Sequence, residues 1–155
     1  MYMQKFGMSK EEAMQKGEWM RQKFQAAGLP FKFTEDDLTG NTFDAHRVLT
    51  AAFAQGGPAA QDRACEVLFQ SYFAEGRAPG DPAVLQAAAD AAGLDSAALL
   101  ADPSCGAAQT KAEMEHGRKL GVTGVPHFVI KAEGSAQQVS GAQPPEYFDA
   151  VLKKL

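Results

Sequence analysis

The chain is poor in cysteine: Cys65 and Cys105 are its only two in 155 residues, and they stand 40 positions apart. That spacing is neither a Cys-x-x-Cys redox pair nor a zinc-ligand pattern, so both are expected to be reduced structural thiols. Histidine is nearly as sparse, and His46, His116 and His127 lack metal-ligand spacing, so no metal site is expected. Basic residues are not in excess. With 15 Lys and Arg against 19 Asp and Glu, the net charge is -4, and no field exists to attract a phosphate backbone; no nucleic-acid partner is expected. No stretch approaches the roughly 20 apolar residues of a membrane span, and "MYMQKFGMSKEEAMQKGEW" lacks the continuous apolar core of a signal peptide. The expectation is therefore no membrane partner and a cytoplasmic or other soluble intracellular location. What is present, 45% hydrophobic and 22% charged residues, suits a globular domain able to bury a core without disulfide or metal props.

Local signals divide the chain into about five helices followed by β-β-α. Ser9 with Glu12 three residues on is a capping-box spacing, and Ala13, Met14, Gly17, Met20, Phe24 and Ala27 then recur at helical steps until Gly28 and Pro30. Trp19, Met20 and Phe24 are read as core, with cover for otherwise open apolar surface as the alternative for some of them, and "FKFT" at 31–34 as a short extended segment at most. Asn41 is expected to cap a second helix over 42–54, ended by "QGGP", and Pro58 to open a third that carries Cys65 and runs to about Glu75. Asp81-Pro82 starts a fourth helix closed by Gly93, a turn covers 96–101, and a fifth helix runs from about Ala107 to Leu120. Beyond Gly121, "HFVI" at 127–130 and "QQVS" at 137–140 read as strands joined by the polar turn "KAEGSA", and Pro144 opens a last helix. The expected organisation is a helical subdomain over 1–120 and a β-β-α unit over 121–155.

One stretch looks like part of a site. In "GVTGVPHFVI", 121–130, a proline stands directly before a strand, where it cannot donate to a sheet ladder. Proline is also the residue before which a cis bond costs only about 0.5–1 kcal/mol. Two readings stay open: a cis Val125-Pro126 loop whose exposed backbone pairs with an extended ligand, or a trans proline that merely starts the strand. His127 is undecided between the two faces of that strand.

The order helices, Gly-Val-Pro, strand, turn, strand, helix is similar to the C-terminal half of a thioredoxin fold. The wording resembles the DsbA-like thiol oxidoreductases, above all their FrnE-like branch, itself similar to 2-hydroxychromene-2-carboxylate isomerases and kappa-class glutathione transferases. The segments that carry the resemblance are "YMQKFGMS" at 2–9, "AGLPFKF" at 27–33, "NTFDAHR" at 41–47, "LFQSYFAEG" at 68–76, "AAGLD" at 91–95, "GVTGVPHFVI" and "SGAQPPEYF" at 140–148. The resemblance implies an α/β, thioredoxin-like fold with a large all-helical insertion. In that family a strand, a Cys-x-x-Cys helix and a second strand precede "YMQKFG"; the expectation here is a thioredoxin fold truncated at its N-terminus, with residues 121–155 as its C-terminal remnant.

The resemblance also implies an activity, protein-disulfide oxidoreductase or isomerase. Dithiol exchange requires an activated thiolate and a resolving thiol. Lacking that pair in motif form, the chain is expected to be inactive in such exchange, and no catalytic residue is assigned. Gly124, Val125 and Pro126 are expected to line the substrate loop. Gly141, Ala142 and Gln143, between the last strand and the last helix, correspond to the corner that holds the γ-glutamyl end of glutathione in glutathione-binding relatives; a plain glycine turn explains them equally well. Asn41 and His46 lie where an Asn-centred motif lines the cleft in the isomerases and transferases, with helix capping and a surface polar contact as the alternatives. The expected ligand is a thiol- or disulfide-containing peptide or small molecule, with glutathione the single cofactor-like molecule suggested. A non-catalytic binding module and a glutathione-dependent isomerase or transferase are the alternative functions. Strands missing from the sheet would leave an open edge that invites homodimerisation.

Overall fold

The computed structural model of the chain describes Gly7, Ser9–Lys32 and Gly40–Leu155. Residues 2–6, Met8, Phe33 and Thr34, on which parts of the sequence reading fall, lie outside the described residues. The chain forms two compact units, Met1–Thr110 and Lys111–Leu155.

In the first unit, α1 spans Lys10–Ala26. Its capping box is formed: the Glu12 N–H donates to Ser9 Oγ at 3.2 Å, and the Ser9 N–H to Glu12 Oε2 at 2.7 Å. The buried side of α1 is made of small residues, Ala13 and Gly17. Trp19, read from the sequence as core, is 54% exposed. The helix is too polar elsewhere to bury an indole, whose face instead has the Lys23 ammonium 5.6 Å from its centroid. Phe24 is partly covered by aromatic neighbours, with ring centroids 4.7 Å from Phe31 and 5.1 Å from Phe73. No strand forms at Phe31–Lys32; the Lys32 N–H donates to the Phe73 carbonyl at 2.7 Å.

α2 spans Phe43–Phe69 and contains the two helices expected on either side of "QGGP", joined at a bend where Gly57 takes φ 70, ψ -166 immediately before Pro58. A π-helical turn, Gln70–Ala74, ends it. α3 (Pro82–Ala92) starts on Asp81, whose carboxylate accepts the Ala83 N–H at 2.8 Å, and stops at Gly93 with φ 80. The expected turn at 96–101 is a short helix, α4 (Ser96–Ala101), because Asp95 caps it through the Ala98 N–H at 3.0 Å. Asp95→Ala is expected to lower stability by about 1 kcal/mol, read as a fall in the urea midpoint. α5 covers Ala107–Lys119.

The core of this unit is built from alanine. Ala45, Val48, Ala51, Ala52, Ala60, Ala64 and Leu68 of α2 cluster with Val84, Leu85, Ala88, Ala89 and Ala92 of α3 and Leu99 of α4. The largest fully buried side chains are Val48, Val84 and Thr110. Small residues on facing helices let the backbones approach closely, leaving no room between them for the large rings, which stay partly exposed. Among the described residues one charge enters this interior. Arg47, 3% exposed, donates to the carbonyls of Leu99 at 3.0 Å, Asp102 at 2.6 Å and Cys105 at 2.9 Å, and to Asp44 Oδ1 at 2.7 Å. It thereby ties the loop after α4 to α2. Thr110 Oγ1 donates to Thr50 Oγ1 at 3.2 Å, a second polar tie between distant segments.

Several exposed carboxylates are held below their ordinary range by local donors. Glu18 falls from 4.5 to about 2 through bonds from Arg21 and Gln22; Asp102 is lowered by the Ser104 hydroxyl and N–H, and Asp81 by the Ala83 N–H. A carboxylate depressed in the folded state stabilises it above its unfolded value, and the contribution disappears as pH falls through the folded value. The thermal midpoint is therefore expected to fall as pH drops from 4.5 toward 2, by less in high salt because these groups are exposed. A midpoint flat across that window would contradict these assignments.

In the second unit, β1 (His127–Ala132) and β2 (Ser135–Ser140) form an antiparallel hairpin, followed by α6 (Pro145–Leu152). The strands extend further into "KAEGSA" than its polarity suggested, pairing Lys131 with Ala136 and Ala132 with Ser135, so that the turn is Glu133-Gly134 alone. Phe128 stacks edge-on with Phe148 of α6 at 5.0 Å, and Val139, opposite Phe128 in the ladder, is 3% exposed. Among the described residues no helix is long and apolar enough to cross a membrane.

Candidate functional site

The segment Gly124–Pro126 leads into β1, and the Val125-Pro126 peptide bond is cis. Val125 is 90% exposed, the extreme among the large apolar side chains of the described residues. Among the described residues its N–H and C=O make no backbone hydrogen bond. Its neighbour is tied down: the Gly141 N–H donates to the Pro126 carbonyl at 2.9 Å, one step beyond the His127–Ser140 pair of the ladder. That bond brings together the two halves of the site expected from the sequence, Gly124–Pro126 and Gly141–Gln143. Ala142 is exposed, and the Gln143 side-chain amide donates back to the Ser140 carbonyl at 3.0 Å, closing the corner ahead of α6.

His127 joins this site on the polar face of the hairpin. Its Nδ1 lies 2.9 Å from Ser140 Oγ and its Nε2 3.2 Å from Gln138 Oε1. The carboxamide oxygen can only accept, so Nε2 carries a proton, and Ser140 donates to Nδ1 when the ring is neutral. Strand alternation offered either face for this ring; pairing with Ser140 decides it.

Asn41 and His46 belong to the first unit. Asn41 stands one residue ahead of the N-cap, Thr42, whose own side chain makes no capping bond. The capping role expected of Asn41 is nevertheless filled by its Oδ1, which accepts the Phe43 N–H at 2.9 Å. A Cβ on Gly80 would lie 2.8 Å from the Asn41 carbonyl oxygen, so this close backbone approach needs glycine. His46 is exposed on the first turn of α2, and among the described residues its ring makes no hydrogen bond.

Neither cysteine is bridged. Cys65 is half-buried in an open groove with Leu49, Pro58, Ala59, Gln61 and Asp62, and burial, then the carboxylates of Glu66 and Asp62, push its thiol up. A raised thiol is a poor nucleophile at neutral pH. Cys105 is exposed, with its carbonyl held by Arg47. At pH 7 iodoacetamide is expected to label Cys105 several-fold faster than Cys65, whose labelling should still be climbing with pH above 9; equal rates by mass spectrometry at pH 7 would contradict this environment. Among the described residues no group of three or more His, Cys, Asp or Glu could hold a metal ion. Arg47 was not singled out by sequence reasoning; its signal is a lone arginine between Ala45 and Val48 on the buried stripe of α2.

A β-hairpin entered through an X-Pro loop and followed by a helix, the remaining regular structure among the described residues being helical, fits the thioredoxin-like fold with a helical insertion that the resemblance implied. The chain belongs to the DSBA-like thioredoxin domain family, whose profile matches residues 3–153. It is similar to the crystal structure of a probable DsbA oxidoreductase from Streptomyces coelicolor, with 35% identity and a TM-score of 0.80. The match covers 98% of this chain and 64% of that one, so the chain spans just under two thirds of the length of its relative. Among proteins of curated function, none matches.

Proposed function

We propose that this chain is the substrate-presenting module of a DsbA-like, FrnE-type thiol-disulfide oxidoreductase. It holds an extended thiol- or disulfide-containing peptide, or glutathione, against Val125 and the 141–143 corner. The observation that carries this reading is the pair of main-chain groups on Val125 that, among the described residues, make no backbone hydrogen bond, at a residue 90% exposed and anchored through Pro126 and Gly141. An extended ligand can bond to such groups as an added strand does. Cys65 and Cys105 do not by themselves supply dithiol exchange, since one is half-buried with a raised thiol and they occupy separate helix and loop positions. Titration with glutathione, and separately with an unfolded cysteine-containing peptide, is expected to shift the amide signals of residues 124–127 and 141–143, with no insulin-reduction activity in the same sample. Unmoved signals at those residues would sink the binding reading, and insulin reduction abolished by Cys65→Ser or Cys105→Ser would sink the non-exchanging one.

A further inference from the structure

We propose, resting on the thiol-ligand reading above, that the 140–143 corner is also an acyl-transfer site. Ser140 is its nucleophile, His127 its general base, and the S-acyl derivative of the thiol ligand, S-acylglutathione, its substrate. The ladder sets up the pair. The Gly141 N–H donates to the Pro126 carbonyl, and bonded and non-bonded pairs alternate along antiparallel strands. His127 opposite Ser140 is therefore a non-bonded pair, the kind whose side chains stand closest. The imidazole meets two residues of β2, with Nδ1 2.9 Å from Ser140 Oγ and Nε2 3.2 Å from Gln138 Oε1. By accepting the Nε2 proton, Gln138 leaves the basic lone pair of Nδ1 facing the serine. The ring is half-buried while Ser140 is exposed, so a hydroxyl held by its base lies open to an incoming carbonyl.

A nucleophile, a base within hydrogen-bond reach and a third group that orients the base form the arrangement acyl transfer uses. Donors for the oxyanion follow directly in the chain. The main-chain N–H groups of Ala142 and Gln143 make no backbone hydrogen bond among the described residues. The turn that carries them is fixed by the Gly141 bond to Pro126 and by the Gln143 side chain, which donates to the Ser140 carbonyl at 3.0 Å. In the reaction, Ser140 Oγ bonds to the acyl carbon as its proton passes to His127 Nδ1. The C–S bond then breaks, and the thiol leaves with that proton. Water, deprotonated by Nδ1, attacks the acyl-serine and releases the carboxylic acid, the proton returning to Ser140. Thioester and water become acid and thiol, and nothing is oxidised or reduced.

S-acetylglutathione and p-nitrophenyl acetate are the probes, read by release of thiol and of nitrophenolate from the full chain. Both are expected to be cleaved faster than in buffer, and Ser140→Ala to return the rate to that of buffer. His127→Ala is expected to slow cleavage on the order of 100-fold. Gln138→Glu, which sets a carboxylate against Nε2, is expected to raise the rate severalfold, a gain that a merely structural Gln138 would not produce. Wild-type protein quenched during turnover should carry an acetyl group on Ser140 that resists neutral hydroxylamine, which strips acyl groups from cysteine. An acetyl group found on Cys65 or Cys105 alone, or cleavage unchanged in Ser140→Ala, overturns the site. Ser140-dependent cleavage of p-nitrophenyl acetate alone overturns S-acylglutathione as the substrate. If neither probe is cleaved while glutathione still shifts residues 124–127 and 141–143, acyl transfer fails alone; if those signals are also unmoved, the presenting function fails with it.

Discussion

Replacing Arg47 by methionine is expected to destabilise the protein by about 3 kcal/mol, although the substitution keeps an apolar stem in place of the arginine's own. The loss arises from the carbonyls the guanidinium serves. The bond to the Leu99 carbonyl is buried, and an acceptor left there without a donor costs about 1–3 kcal/mol. The bonds to the Asp102 and Cys105 carbonyls are only partly buried, so water recovers some of theirs. Asp44 is 52% exposed and stays hydrated, so the larger penalty of an orphaned buried charge does not apply. Arg47→Lys is expected to recover only part of the loss, since one ammonium cannot reproduce a planar fork aimed at several acceptors. Urea unfolding should show a lower midpoint at unchanged slope, and amide exchange should quicken across residues 99–106. An unchanged midpoint would mean that the loop after α4 holds its place without the arginine.

Gly57→Ala is expected to cost about 1–3 kcal/mol for a purely torsional reason. A Cβ at this position meets nothing within 4 Å, so crowding contributes nothing. The backbone at φ 70, ψ -166 is what an L-residue resists. This conformation is the mirror image of ordinary extended backbone, so D-alanine introduced by semisynthesis should fold without the penalty, and by restricting the unfolded chain should match or slightly exceed the glycine protein. Equal losses for the two enantiomers would show that the bend between the halves of α2 tolerates no side chain at all, contrary to the torsional account.

The features legible in the sequence are those whose chemistry is local. Ser9 with Glu12, Asp81 with Pro82, and Gly93 all act within a turn of their own position, and each does in the fold what its spacing announced. Arg47 was illegible because its partners Leu99, Asp102 and Cys105 lie 52 to 58 residues further on, and no periodicity encodes a contact of that range. Trp19 misled for the opposite reason: hydrophobic spacing placed it on a helix, but alanine and glycine, not the largest ring, form the buried face of α1. At the candidate site, the proline before a strand drew attention to Val125, and family resemblance supplied the 141–143 corner. The bond from Gly141 to Pro126 that unites them depends on strand register, which "KAEGSA" concealed by reading as turn throughout.

The alanine-lined contact between α2 and α3 shapes which substitutions the protein can accept. In a core filled by leucine and phenylalanine, truncation is the dangerous change and enlargement finds some slack. Here Ala52, Ala64, Ala88 and Ala89 are already near the minimum size and fully enclosed, so truncation has little left to remove while every added methylene must push two helices apart. A saturation library screened for folding should therefore show an inverted pattern on this face. Glycine and serine survive at these positions more often than valine or leucine, and genetic drift is confined to a far smaller alphabet than hydrophobicity alone would permit.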